Sequence, residues 1–400
     1  LIKGGPPRRW RKRPVAGVCV LKKRIRNGVP ELHIRGENCR DLEQARKREW
    51  LETNGIGGYA CSTVAGMNTR RYHGLLVAAM DPPAGRIVAV SKLDEILTTP
   101  EGVFELGTNC FPGAVHPEGF RFLESFNLDP FPRWVFKAGG ARLEKTLLLA
   151  RGNNTAAVRY RWLGPAGKPL SSPPSGRGVS IRPFIAFRDY HHLIRSDQFR
   201  SPAFVEDGGA VRMNPAEGMP ELVFRPMGLR YEFAPDWYYN FEYEIERERG
   251  MDYQEDLFSP GVFNWNGDDS SFYIAFSAGE DPLDAAVSDS SPNPAELFEE
   301  IREEETRRRA ELVAHAGVPG DDTAARLVLS ADAFIVDRGE AGRSIMAGYP
   351  WFMDWGRDAM ISLPGLTLAT KRFREAREIL HTFASHIRGG LIPNVFPNLG

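Results

Sequence analysis

A change of hydrophobic period near residue 281 constrains this chain more than any other feature, because strand alternation and helical spacing build different layers. Up to residue 277 the apolar residues alternate in short runs separated by turn signals. Segments 86–97, 120–128, 134–137, 143–150 and 156–163 read as strands, and 179–187, 221–224, 237–245 and 272–276 continue the pattern. Gly139-Gly140 is a hairpin signal, and 164–178, rich in Gly, Pro and Ser, is a loop. Many short strands with little helix between them predict an N-terminal antiparallel β-sandwich over 31–280.

Beyond 281 the spacing becomes helical. Segment 296–316 carries Glu303/Arg307, Glu304/Arg308 and Glu305/Arg309 at the favoured i,i+4 spacing. Its apolar stripe is thin, which suits a helix bridging two domains over 281–320. A second helix over 323–336 shows Leu327, Ala331, Phe334 and Ile335 on one face. A third follows Asp358, apolar all round as in a buried helix, with Pro364-Gly365 to bend it. A fourth over 372–387 places Phe373, Ala376, Ile379, Leu380, Phe383, Ala384 and Ile387 at helical spacing. Residues 321–400 therefore read as the opening of an all-α domain.

Charge excludes some partners. With 51 basic and 52 acidic residues there is no overall pull towards nucleic acid or an anionic membrane, and no run is long enough to span one. A neutral polymer suits such a chain, and the composition is of cytoplasmic type. Cys19, Cys39, Cys61 and Cys110 lack metal-ligand spacing and read as reduced thiols; no metal or other cofactor is expected. From Lys3 to Arg26 there are ten basic residues and no acidic one, so residues 1–30 are expected to form a disordered leader.

The most informative stretch for chemistry is Gly348-Tyr349-Pro350-Trp351-Phe352-Met353-Asp354-Trp355-Gly356-Arg357-Asp358. Indoles stack on the apolar faces of pyranose rings, while adjacent carboxylate and guanidinium groups accept from and donate to vicinal hydroxyls. Trp351, Asp354, Trp355, Arg357 and Asp358 are the candidate substrate-binding residues. For Asp354 the alternative reading is a partner that orients Arg357, and the competing account of Arg357–Asp358 is an ordinary ion pair with Asp358 capping the next helix. The glycine-rich segment 54–66 lacks phosphate-loop spacing and reads as a turn. Arg70-Arg71-Tyr72-His73 reads first as a buried ion-paired corner and second as a glucan contact. His191-His192 read as hydrogen-bonded interior or interface histidines. Segment 237–241 puts half its aromatic residues in the core, leaving half for sugar stacking or an interface.

Glu49-Trp50-Leu51-Glu52-Thr53-Asn54-Gly55-Ile56-Gly57-Gly58-Tyr59, with Asn68-Thr69-Arg70-Arg71-Tyr72-His73-Gly74-Leu75-Leu76, resembles the N-terminal signature of bacterial and archaeal glycogen debranching enzymes. Residues 188–192 and 255–261 look like further marks of that domain, and 348–366 and 390–397 resemble the start of the amylo-α-1,6-glucosidase module. The resemblance runs from about residue 46 onwards. It implies a β-sandwich, a helical linker and an (α/α)6 toroid like that of glucoamylases, truncated at Gly400. It implies hydrolysis of the α-1,6-linked glucose at a trimmed branch point of glycogen or another branched α-glucan, with inversion. Trp355, Arg357 and Asp358 match the Trp-x-Arg-Asp motif that binds the terminal glucose in the wider group. The general acid and base would fall beyond Gly400, so neither is assigned, and residues 1–400 alone are expected to be inactive. Two rivals stay open: another glucoamylase-like exo-glucosidase, and a non-catalytic glucan-binding protein should the chain end at Gly400.

Overall fold

The computed structural model describes residues 25–26, 29–30, 33–128, 130–198, 203–215, 219–284, 292–318 and 320–396. Most of the leader, and Cys19 with it, lies outside them; Ile25–Arg26 and Val29–Pro30 pair as a two-residue antiparallel ribbon. Cys61 and Cys110 are buried free thiols, and Cys39 is buried beside the Ile34 carbonyl.

Two large antiparallel sheets carry the first two-thirds of the chain. The nine-stranded sheet runs in the order Ala203–Asp207, Ala210–Asn214, Leu222–Met227, Ser271–Ala278, Thr155–Leu163, Ala141–Leu149, Pro132–Ala138, Leu123–Leu128, His33–Arg35. The eight-stranded sheet runs Leu229–Glu242, Gln254–Trp265, Gly178–Asp189, Ala84–Thr99, Gly74–Asp81, Tyr59–Thr63, Glu49–Thr53, with Gly102–Glu105 beside Ala84–Thr99. Between them lies one apolar cluster, with Trp50, Ala89, Leu93 and Phe263 from one sheet and Trp134, Leu147, Trp162 and Phe276 from the other. Alternation explains the pairing: Ile87 and Ala89 face this cluster, whereas Val88 faces a second cluster outside the sheet. The outer faces are covered too, which is why residues 86–93 are buried without a break.

Helix Pro294–Ala316 covers the nine-stranded sheet. Asn293 and Glu296 cap it reciprocally, Pro294 opens it, and Gly317 ends it at φ 74°. Leu297, Phe298 and Ile301 pack on Phe131, Leu148, Ala157 and Ala275, so the thin stripe does seat on a sheet. Of the expected helical pairs Glu305–Arg309 forms, at 3.4 Å. Arg308 turns instead to Glu305 and Asp332, both at 2.7 Å, and Arg307 to Glu311. Asp332 on helix Asp322–Phe334 is 5% exposed. It accepts from Arg308 on one oxygen and from Arg372, at 2.6 Å, on the other, with Arg151 at 3.8 Å. Burial works against its ionisation, but the arginines outweigh this and hold the carboxyl down at about 2.

The expected fold class, a sandwich followed by an (α/α)6 toroid, is overturned. Strand makes up 44% of the structure and helix 24%, and no all-α toroid is present among the described residues. After Phe334 the chain leaves the helical path and forms an antiparallel ribbon, Ile335–Asp337 with Arg343–Ile345. The reason is local: two β-branched residues favour a strand, and Gly339 and Gly342, at φ 62° and 89°, supply the turn. Val336 and Met346 of this region then dock on Tyr59, Val77, Val88 and Phe184 of the eight-stranded sheet. Helix Gly356–Leu363 buries only Gly356, Ala359 and Leu363, not its whole circumference, and Ile361 is 75% exposed. The bend at Pro364 is a π-helical turn over Pro364–Leu368. Helix Phe373–Ser385 buries Ala376, Ile379, Thr382 and Phe383, while Phe373 and Leu380 of the expected apolar face are exposed.

Candidate functional site

The loop between the ribbon and helix Gly356–Leu363 carries Trp351, Asp354 and Trp355, and the first turn of that helix carries Arg357 and Asp358. Arg86, buried in strand Ala84–Thr99, donates to the carbonyls of Pro350 at 3.3 Å and Phe352 at 2.6 Å. Its guanidinium lies 4.3 Å from the ring centre of Tyr190, whose hydroxyl donates to the Trp351 carbonyl at 3.4 Å. Tyr349 meets Tyr59 edge-on at 5.5 Å. One end of the loop is thus fixed to the outer face of the eight-stranded sheet. The Trp351 indole is half-buried, with the guanidinium of Arg70 stacked 4.9 Å from its centre and no hydrogen-bond partner for its N–H among the described residues.

Asp354 and Asp358 have opposite surroundings. Asp354 is 5% exposed and ion-paired with Arg338 from the ribbon turn; Arg338 stacks 4.2 Å over Phe396. Burial pushes the Asp354 carboxyl up and Arg338 opposes the shift. Its partner is therefore Arg338, not Arg357. Asp358 lies in the first turn of the helix, where a capping role was open to it. Instead Asn394, from the returning loop, caps that helix: its carbonyl accepts from the amide of Gly356 at 2.8 Å and its side chain from that of Arg357 at 3.0 Å. The close approach requires glycine, since a Cβ at 356 would stand 2.3 Å from the Pro393 carbonyl oxygen. Asp358 Oδ2 is left without a hydrogen-bond partner among the described residues, and the Arg357 Nε is 3.8 Å away. The Arg357 side chain is 70% exposed. Trp355 precedes it, its ring 5.1 Å from Phe352.

The corner at 70–73 bears on this loop directly. Arg70 Nε donates to Glu49 at 2.6 Å, and His73, fully buried, sets its Nε2 3.4 Å from the same oxygen. Burial pushes Glu49 up, but His73 and Arg70 outweigh it and hold the carboxyl at about 2; burial lowers His73. Arg71 donates to the carbonyls of His191 and Asp252 and faces Glu246 at 3.5 Å. Tyr72 and His191 meet at 3.2 Å, and His192 lies beside Asp189; both histidines are exposed rather than interior. Gly57 of the glycine-rich turn sits at φ 97° with its α-carbon against Pro83, where a Cβ would collide at 2.5 Å. In strand Leu229–Glu242, Phe241 and Tyr238 pack towards the outer cluster and Tyr239 is exposed. Among the described residues no group of three His, Cys, Asp or Glu side chains is placed to hold a metal, and no helix is long and apolar enough to cross a membrane.

Sequence reasoning missed Arg86, Arg338 and Asn394, which set the loop's conformation. Only Asn394 left a signal, because it lies in the 390–397 segment already set apart by its resemblance. The family described as glycogen debranching enzyme N terminal matches residues 48–271, and the amylo-alpha-1,6-glucosidase family matches 329–400. Over 62 residues the chain is 45% identical to the glycogen debranching enzyme of Saccharomyces cerevisiae. That stretch covers 14% of this chain and 4% of the yeast protein.

Proposed function

The chain belongs to the glycogen debranching enzyme family, and from that premise we propose that it acts in debranching by hydrolysing the α-1,6-linked glucose at branch points of cytoplasmic glycogen. One observation supports this reading for the site: Asn394 caps the helix, so Arg357 and Asp358 are neither cap nor tight ion pair, and among the described residues no side-chain hydrogen bond commits either of them. Trp351 and Trp355 offer indole faces beside them. We assign Arg357 and Asp358 to hydroxyls of the terminal glucose and the two indoles to its ring. Asp354 supports the pocket from beneath by holding Arg338.

These residues hold the departing glucose. In an inverting enzyme the bond is broken by two other carboxyl groups, about 6.5–9.5 Å apart so that a water fits between. Grip on non-reacting hydroxyls still lowers the barrier, because it fixes the reacting carbon for attack. Glucose release by the intact protein from a maltotriose bearing one α-1,6-linked glucose, against linear maltotetraose, tests the proposal. Fast release from the branched substrate as the inverted anomer is expected. Equal rates on both would move the assignment to a linear-chain exo-glucosidase, and a retained anomer would refute inversion.

A further inference from the structure

Arg70 reaches from the Asn68–Leu76 motif of the strand region to the pocket loop. Glu49 engages only its Nε; among the described residues the two terminal amino groups of Arg70 have no hydrogen-bond partner. The N–H of Trp351 beneath it has none either. The side chain is 16% exposed, so it is held yet reachable. Its brace is well defined. The amide of Thr69 donates to His73 Nδ1 at 3.1 Å, which leaves the ring proton on Nε2, 3.4 Å from the Glu49 oxygen. Glu49 also matches the charge of Arg70, so the open donors call for a neutral acceptor such as a hydroxyl rather than an anion.

We propose that Arg70 is a sugar-binding residue lent to the pocket by the sheet, its two open amino groups donating to hydroxyls of the glucan unit next to the glucose held by Arg357 and Asp358. This rests on the pocket reading above. Arg70 covers one face of Trp351, so a sugar that meets its amino groups lies beside that ring. Vicinal hydroxyls match the planar fork of a guanidinium.

The test is binding to the intact protein, read by calorimetry with two probes: glucose alone, and the maltotriose bearing one α-1,6-linked glucose. Arg70→Lys keeps the charge and loses the fork; Arg70→Met loses both. Each is expected to weaken the branched probe about tenfold or more while glucose stays within about twofold. Glu49→Gln, which loosens Arg70, should give a smaller loss of the same kind. Unchanged affinity for the branched probe in either Arg70 variant overturns the proposal. Equal weakening for both probes overturns it too, since Arg70 would then only shape Trp351. Should Arg70→Met not fold, Arg70→Lys decides alone. Asp358→Asn separates the two readings: it should weaken glucose itself, and glucose binding left intact there refutes the pocket, and Arg70's role with it.

Discussion

The arginine lattice around Asp332 and the Arg357–Asp358 pair use the same side chains to different ends. Asp332 is buried, with each oxygen engaged by an arginine and a third arginine nearby. Asp358 has one exposed arginine at 3.8 Å and an oxygen with no hydrogen bond among the described residues. Residue composition does not distinguish them. What differs is how fully each charge is satisfied by the protein: a saturated cluster stabilises the fold, and an unsaturated one has donors and acceptors left for a ligand.

The comparison breaks most sharply by deletion on the saturated side. Asp332→Ala leaves Arg308 and Arg372 facing each other in a buried site, and should cost about 3–5 kcal/mol of stability. Denaturant unfolding of the intact protein measures it, and a loss below about 1 kcal/mol would show the lattice to be no more than a surface network. On the unsaturated side the effect should move from stability to function. Asp358→Asn removes a charged acceptor and Arg357→Lys a planar donor. Each should lower kcat/KM on the branched substrate by roughly 10- to 150-fold, as charged hydrogen bonds of about 1.5–3 kcal/mol imply. The melting curve should not move; a melt that shifts with activity would return the pair to a structural role.

The smallest expected effect sharpens the contrast by pH. The Asp332 carboxyl is held at about 2, below its ordinary value. A depressed carboxylate stabilises the fold above its unfolded pKa of about 4, and that stabilisation fades as pH falls towards about 2. The contribution is about 2 kcal/mol. Asp332→Asn should therefore show a shallower loss of stability between about pH 5 and pH 3 than the wild type. Parallel curves would mean that the arginines do not depress this carboxyl.

Strand alternation made the two sheets readable, because one face of each strand meets the inter-sheet core over most of its length. It did not reveal the hairpin Ala203–Asp207/Ala210–Asn214, whose strands are only five residues each. The ribbon after Phe334 was hidden for another reason. Ile335 continues the apolar face of the preceding helix as well as it begins a strand, and only docking on the sheet decides between them. At the site, the Trp-x-Arg-Asp spacing was legible because its members are neighbours in sequence. Arg86 and Arg338 were not, since each acts on the loop from another strand or turn, and no local pattern records a partner 264 residues away. Asp354 shows the same limit: Arg357, three residues further on, was the candidate partner in sequence, whereas the arginine it pairs with lies 16 residues earlier.

The interlock between Gly356 and the loop at 393–394 has a temporal consequence. The start of helix Gly356–Leu363 takes its cap from a residue 37 positions further along the chain. During synthesis Trp355, Arg357 and Asp358 emerge first, and their helix stays uncapped until Asn394 follows and closes over it. The sheets that anchor Trp351 are complete before then, since every one of their strands precedes residue 279. The segment from Trp351 to Asp358 is thus fixed in order, its sheet-held end first and its helix start last.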